Sequence, residues 1–161
     1  MIPRKIQSYF KTTCQKMDGE NTLIEGMLTC CNSHEFEVQI AGDIKRDLFS
    51  GMHLQPINEK IVVDACCKKC GKTISVFDSD LDGYEKSETK CDKFILAKPF
   101  VCKRCIDNTF SVEIKYEYPD YQELIDLGTT EIDNAFTWIW ITLKCNQCGK
   151  RYCNFVNFET T

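Results

Sequence analysis

The stretch "DACCKKCGK", residues 64–72, decides the fold because it places three cysteines and three lysines in nine positions. A related stretch, "CNQCGK", occupies residues 145–150. Cysteines with this spacing occur in disulfide frameworks, in redox centres and in metal sites. The choice among these three chemistries determines the fold and limits the function.

The chain has 161 residues and 12 cysteines, enough for one ordinary domain or two very small ones. Very small domains bury little surface and are usually stabilised by a metal or by disulfides. The first residues, "MIPRKIQSYFKTTCQK", lack the apolar segment and cleavage site of a secretory signal. The longest apolar run, "AFTWIWITL", is short of the roughly 20 residues of a membrane span. We therefore expect a cytoplasmic protein with reduced thiols, in which repeated cysteine pairs bind metal.

The charge distribution gives no sign of a basic nucleic-acid-binding surface. The net charge is −4, and no part of the chain is net basic. Residues 1–80 hold 10 basic and 11 acidic side chains, and residues 99–161 hold 6 and 9. Proteins that bind nucleic acid usually carry an excess of lysine and arginine on one face.

The sequence contains an internal repeat. "CKKCGKTISVF" from Cys67 matches "CNQCGKRYCNF" from Cys145 at an offset of 78, and "CNSHEFEVQI" from Cys31 matches "CIDNTFSVEI" from Cys105 at an offset of 74. Two copies of one unit account for the length of the chain. We predict a lead segment at 1–22, unit one at 23–80, a polar linker at 81–98 and unit two at 99–161.

The repeated units are predicted to be mainly β strand. "TFSVEIKYEY", residues 109–118, alternates apolar and polar side chains without error, as a half-buried antiparallel strand does. "FTWIWITL", "EKIVVDA" and "RYCNFVNF" predict further strands, and "DYQELIDL" predicts one short helix. Residues 1–22 show no clear period and are interpreted as a poorly packed lead or one short helix.

Unit two holds a complete set of four metal ligands. A C-x-x-C turn brings both sulfurs to one side of a tight loop, and a glycine after the second cysteine permits a left-handed residue that completes the turn. Two such turns supply tetrahedral ligands for zinc. The predicted ligands are Cys102, Cys105, Cys145 and Cys148.

Unit one holds a less regular set. Cys67 and Cys70 match Cys145 and Cys148, and Cys31 matches Cys105, but Leu28 stands where unit two has Cys102. The fourth ligand is either the adjacent Cys30, which the repeat alignment favours, or His34, which the loop spacing favours. We predict Cys30, Cys31, Cys67 and Cys70, with His34 as the alternative to Cys30.

These motifs resemble the zinc-ribbon superfamily, with the rubredoxin-type knuckles "CKKCGK" and "CNQCGK" present twice. The resemblance covers residues 23–80 and 99–161. It implies an all-β protein of two tandem small antiparallel zinc-ribbon units joined by a short linker, with two structural Zn²⁺ ions. It implies little about activity.

Seven basic side chains lie in or beside the knuckles and have two possible roles. A zinc ion with four thiolates carries a formal charge of about −2, which these cations would offset. They could instead form a small phosphate-binding patch. The seven residues are Lys68, Lys69, Lys72, Lys103, Arg104, Lys150 and Arg151.

Three further signals favour ordinary structural roles. "DSDLDG", residues 78–83, begins like a calcium loop, but Thr89 stands where the final glutamate belongs, so we expect a solvated acidic turn. An aromatic set could stack bases, but a small unit needs it for its core. The aromatic set is Tyr116, Tyr118, Phe136, Trp138 and Trp140. The third signal is the cysteines without a spacing partner, which are predicted to be free thiols: Cys14, Cys66, Cys91 and Cys153.

We expect a non-catalytic zinc-binding protein that acts as an interaction module for a protein partner, with no catalytic residues and no membrane association. One alternative is a nucleic-acid-associated ribbon of the transcription or translation type. A second is a rubredoxin-like iron electron carrier, since iron also accepts four thiolates.

Overall fold

A computed structural model describes residues 1–84 and 96–160. These residues form eleven strands, one α helix and two short 3₁₀ helices. The strands are β1 Phe10–Asp18, β2 Asn21–Leu28, β3 Phe36–Ala41, β4 Asp43–Asp47, β5 Gly51–Gln55, β6 Val62–Cys67, β7 Thr73–Asp78, β8 Lys98–Pro99, β9 Phe110–Tyr118, β10 Trp138–Cys145 and β11 Arg151–Glu159. The helix α1 is Tyr121–Asp126, and the 3₁₀ helices are Gln7–Tyr9 and Ile132–Asn134.

The predicted all-β class is confirmed, since every strand pairing is antiparallel. Nine strands form one sheet in the order β1-β2-β9-β3-β6-β7, with β10 and β11 continuing from β9 and β8 pairing with β3. Strands β4 and β5 form a separate hairpin. Within the described ranges, no helix is long and apolar enough to cross a bilayer.

The strand predicted from "TFSVEIKYEY" lies at the centre of this sheet as β9. Its burial alternates from Phe110 to Tyr118 as the pattern predicts, because the apolar residues face the core and the charged ones face solvent. The predicted short helix is also confirmed as α1. Asp120 caps it by accepting hydrogen bonds from the backbone N–H groups of Gln122 and Glu123.

The two repeats exchange strands reciprocally. β2 precedes β3 in the chain but pairs with β9 of the second repeat, whereas β8 leads into the second repeat but pairs with β3 of the first. The two pairings are equivalent, because Ile40 and Ile114 occupy matching positions in the repeat. Gly26 lies opposite Ile114, and Lys98 lies opposite Ile40. The two units, predicted as 23–80 and 99–161, therefore contribute to one sheet.

A single hydrophobic core backs this sheet. Residues from both repeats, including Val38, Ala65, Val112 and Leu143, belong to one buried cluster. The predicted division into two units describes the sequence repeat, whereas the hydrophobic core includes residues of both units.

The lead segment 1–22 is more ordered than its sequence indicated. It contains the 3₁₀ helix Gln7–Tyr9, strand β1 and the start of β2, and Ile6 is fully buried. The interpretation as a lead or a short helix missed β1 because nearly every residue of this edge strand is exposed. An exposed strand carries no alternating pattern by which it can be recognised.

The aromatic set divides between the two faces of the sheet. Tyr116, Tyr118 and Phe136 are buried, as the core interpretation predicts. Trp138 and Trp140 lie half-buried on the opposite face, where their rings stack with centroids 5.6 Å apart and an interplanar angle of 11°.

Gly26 is expected to be intolerant of any side chain. A Cβ atom there would lie 2.4 Å from a ring carbon of Phe10 and 2.5 Å from the carbonyl oxygen of Lys11. Gly26→Ala should lower the free energy of unfolding by about 1–3 kcal/mol, because the packed strands β1 and β2 must move apart. Urea denaturation followed by circular dichroism measures this change. Lys11→Ala on the exposed part of β1 is the control, and an equal effect of both variants would contradict the packing described here.

Candidate metal centres

The knuckle of unit two is built by local backbone hydrogen bonds. The Cys145 N–H donates to the Lys150 carbonyl at 2.9 Å, and the Gly149 N–H donates back to the Cys145 carbonyl at 2.9 Å. Gly149 has a φ of 73°, and the matching Gly71 in unit one has a φ of 75°. The predicted left-handed glycine therefore closes the turn in both copies.

The four cysteines of unit two converge on one point. The sulfurs of Cys102 and Cys148 lie 3.6 Å apart, and those of Cys105 and Cys145 lie 3.5 Å apart. All four sulfurs lie within 4.8 Å of one another. A zinc ion with four sulfurs at about 2.3 Å requires them to be separated by about 3.8 Å. This group, site 2, therefore fits a tetrahedral metal ion of that size.

A second group of four sulfurs, site 1, lies in unit one. It consists of Cys30, Cys31, Cys67 and Cys70, whose sulfurs also lie within 4.8 Å of one another. The Cys30 sulfur is 3.8 Å from that of Cys31 and 3.6 Å from that of Cys70. The structure thus brings together the four cysteines that the sequence favoured.

His34 does not join site 1. Its Nδ1 lies 3.1 Å from the Leu28 carbonyl oxygen, and the metal-binding group contains cysteines alone. The first ligand loop of unit one is two residues shorter than that of unit two, because Cys30 and Cys31 are adjacent whereas two residues separate Cys102 from Cys105. The Cys30 N–H donates to the Ser33 carbonyl just as the Cys102 N–H donates to the Asp107 carbonyl. Cys30 is therefore the counterpart of Cys102, and an alignment without a gap places Leu28 there instead.

The two sites lie side by side at one end of the sheet. Cys67 is opposite Phe36, Phe36 is opposite Phe110, and Phe110 is opposite Cys145. These four residues form one row across strands β6, β3, β9 and β10. Three strand spacings of about 4.8 Å separate the ends of the row by about 14 Å. The sites are therefore too far apart to share a ligand.

The thiols within each site have different pKa values. Burial by itself raises the pKa of Cys102, but hydrogen bonds from the Tyr152 hydroxyl and from the backbone N–H groups of Cys105 and Arg104 outweigh it and lower the pKa to about 6. At site 1, burial raises the pKa of Cys30 to about 12. At site 2, a hydrogen bond from the Asp107 backbone N–H lowers the pKa of Cys105, but burial and hydrogen bonds to the other cysteines outweigh it and raise the pKa to about 12. A metal binds thiolates, so an ion entering either site must displace protons.

The basic side chains of the knuckles mostly contact nearby groups of the same chain. Lys69 donates to the Cys31 carbonyl at 3.0 Å. Arg151 makes two hydrogen bonds to Glu113, at 2.8 and 2.6 Å. Three lysines lie over aromatic rings: Lys72 over Tyr9, Lys103 over Phe100 and Lys150 over Tyr152.

The cysteines without a spacing partner lie outside both groups. Cys14 and Cys153 are exposed. Cys66 points its sulfur to the Gly71 carbonyl oxygen at 3.4 Å, outside site 1. Cys91 falls outside the described residues.

The acidic turn at 78–83 is paired with lysines. Lys60 lies 2.8 Å from Asp80 and 3.7 Å from Asp78, and Lys5 forms an ion pair with Asp82. Asp82 also accepts a hydrogen bond from the Asp78 backbone N–H at 2.7 Å. These contacts favour a structural turn. In residues 1–84 and 96–160, the groups that could hold a metal ion are the two cysteine clusters.

Tyr152 is the site residue that the motif analysis missed. Its hydroxyl donates to the Cys102 sulfur at 3.4 Å and accepts a hydrogen bond from the Lys103 N–H at 2.8 Å. The signal that could have found it is a difference between the repeats, because Ile74 occupies the matching position in unit one.

Comparisons with known proteins identify no relative. No protein-family model matches the chain, and neither the curated proteins nor the solved structures contain a significant match. The metal sites are therefore interpreted from their own geometry.

The ligand assignment at site 1 predicts different effects for two neighbouring substitutions. Cys30→Ser should reduce bound metal by about one ion per chain, because three remaining sulfurs close the site poorly. His34→Ala should leave the metal content unchanged, because His34 contacts a backbone carbonyl instead. Elemental analysis of both purified variants measures the outcome. Metal loss from His34→Ala with full retention in Cys30→Ser would reverse the assignment.

Proposed function

We propose that this chain is a non-catalytic zinc-binding protein whose two metal sites stabilise a β-sheet scaffold for a protein partner. The observation that carries this proposal is the presence of two groups of four converging cysteine sulfurs. Four protein ligands fill the coordination of zinc and leave no position for water or substrate, which is typical of structural sites.

The geometry of the two sites suits either zinc or iron, since both accept four thiolates. Buried aromatic rings, including Phe100 and Tyr152, pack beside site 2. Four thiolates accept either metal, so the rubredoxin-like alternative differs only in the ion that is bound. We propose zinc because closed, redox-inactive sites meet the needs of a small scaffold.

A protein partner is supported by the hairpin formed by β4 and β5. At its tip, the side chains of Leu48 and Phe49 are 95% and 100% exposed. We propose that these two adjacent apolar side chains are the surface that a partner buries. Burying both would contribute about 1.5–3 kcal/mol each, which is enough for an anchor within a larger interface.

The hairpin tip is held in a defined conformation. The Asp47 carboxylate accepts hydrogen bonds from the backbone N–H groups of Phe49 and Ser50, at 2.7 and 3.1 Å. The His53 ring lies 2.9 Å from the Asn154 carbonyl oxygen and 2.8 Å from the Ser50 hydroxyl. These contacts attach the hairpin to β11, so binding would require little ordering of the tip.

The nucleic-acid alternative has one observation in its favour, namely that the basic residues of both knuckles lie at the same end of the sheet. Against it, Arg151 pairs with Glu113, and the chain has a net charge of −4. We propose that the knuckle cations offset thiolate charge, with the protein in a reducing compartment such as the cytoplasm.

The metal content should be two zinc ions per chain. Elemental analysis of the purified protein measures it, and Cys70→Ser with Cys148→Ser in one chain is the control that should carry none. Removal of both ions by a strong chelator should abolish the β signal in circular dichroism, because metal binding contributes on the order of 10 kcal/mol per site to folding. Fewer than one metal per chain would overturn the proposal, and a red protein with bound iron would favour the electron carrier.

The partner-binding surface predicts site-specific crosslinking. A photoreactive phenylalanine analogue at position 49 should crosslink to a discrete protein in cells, because that side chain is fully exposed on an ordered turn. The same analogue at Lys11, on the exposed face of β1, is the control and should not give that product. Identical products from both positions would contradict a specific role for the hairpin.

Nucleic-acid binding is tested separately by fluorescence anisotropy with single- and double-stranded probes. We expect no appreciable binding at physiological salt. Micromolar binding that weakens steeply with salt would favour the alternative, and each lost phosphate contact should then lower the salt slope by about 1.

A further inference from the structure

The two metal sites differ at positions that the repeat makes equivalent. At site 2, Tyr152 is opposite Leu143 in the sheet, and at site 1 the matching residue Ile74 is opposite Ala65. The Tyr152 hydroxyl donates a hydrogen bond to the Cys102 sulfur at 3.4 Å. An isoleucine side chain has no donor, so site 1 lacks this contact.

The shorter loop of unit one removes further donors. At site 2, the Cys102 sulfur accepts hydrogen bonds from the backbone N–H groups of Arg104 and Cys105 as well as from Tyr152. The Cys30 sulfur instead contacts the sulfurs of Cys31 and Cys70 in its own site, at 3.8 and 3.6 Å. Hydrogen bonds to a coordinated thiolate stabilise it and retain the metal.

The sites also differ in their access to solvent. Cys31 and Cys70 are exposed, whereas no cysteine of site 2 is exposed. Phe100 is buried beside site 2 and packs against Tyr152 with ring centroids 5.1 Å apart. A chelator or an oxidant can therefore reach two sulfurs of site 1 directly, whereas the most accessible cysteines of site 2, Cys105 and Cys148, are half-buried.

The backbone at site 1 is held in an unfavourable conformation. Cys31 and Asn32 are consecutive non-glycine residues with φ values of 54° and 57°, whereas site 2 has one such residue, Ile106, with a φ of 64°. Left-handed conformations cost energy for such residues and persist where the surroundings enforce them. Release of a metal from site 1 would remove one reason for the loop to keep this shape.

We infer that site 1 is an exchangeable site that gains and loses a thiophilic divalent ion such as Zn²⁺ while site 2 retains its own. This inference rests on the proposed function, because it requires both sites to bind metal. The two sites then differ in role, because site 2 keeps its ion and the occupancy of site 1 changes with the available metal. Site 2 lies on strands β10 and β11, which the β4–β5 hairpin covers through His53. Site 1 lies on β6 and β7, which hold the same outer position in the first repeat as β10 and β11 hold in the second.

The test measures the rate of metal release from the intact, fully loaded protein. Mixing with the chromogenic chelator 4-(2-pyridylazo)resorcinol should give two phases of one zinc each, with rates that differ by at least about tenfold. In the same loaded protein, limited alkylation with iodoacetamide followed by mass spectrometry should label Cys31 and Cys70 before any cysteine of site 2. This second measurement needs no variant that could fail to fold.

Matched variants assign the phases. Cys70→Ser should remove the fast phase and leave the slow one. Tyr152→Phe keeps the ring and removes the donor, so it should accelerate the slow phase about fivefold, as the loss of a hydrogen bond of about 1 kcal/mol implies. Tyr118→Phe is the control, because the Tyr118 hydroxyl donates to the Asp133 carbonyl, away from both sites, and it should leave both rates unchanged.

The outcomes separate this inference from the proposed function. Fewer than one zinc ion per chain in the loaded protein would contradict the proposed function itself, whereas a single ion per chain would overturn only the exchangeable role of site 1. Two ions that leave at the same rate, or alkylation that begins at site 2, would overturn only the exchangeable role of site 1.

Discussion

The pairing of Phe36 with Phe110 is the contact on which the arrangement of the molecule depends. It joins β3 to β9, which are the same strand in the two repeats, at a single register position. Both residues are fully buried. Phe36 and Phe110 occupy equivalent positions in the two repeats. An approximate two-fold axis therefore passes through their contact, as it does through the interface of a symmetric dimer.

This symmetry explains the strand exchange. The β3–β9 contact is one residue long, so the remaining edge of each strand is open to another partner. β2 fills the edge of β9 and β8 fills the edge of β3. Each repeat thus completes the sheet of the other, and residues of both repeats share one buried cluster. Metal binding at either site is consequently linked to the stability of the whole sheet.

The sequence predicted those features whose cause is local. The alternation of β9, the cap of α1 and the knuckle glycines Gly71 and Gly149 each follow from neighbouring residues. The sequence did not predict which strands pair, because hydrophobic alternation reports that a face is buried and not what covers it. It also missed β1, whose exposed edge has no period, and it left Cys30 and His34 as alternatives because the loop of unit one is shortened by two residues.

The shortened loop connects the geometry of site 1 to its chemistry. A four-residue knuckle carries backbone N–H groups past the first sulfur, as at Cys102. When the two ligands are adjacent, as with Cys30 and Cys31, no intervening residue can donate, and two consecutive residues take left-handed φ values where the four-residue knuckle has one, at Ile106. The same two-residue difference that obscured the ligand in the sequence therefore also removes the residue between the ligands that donates to the first sulfur at site 2. Because Ile74 adds no hydroxyl on the opposite side, the two repeats hold the same four sulfurs in surroundings that bind a metal with different tenacity.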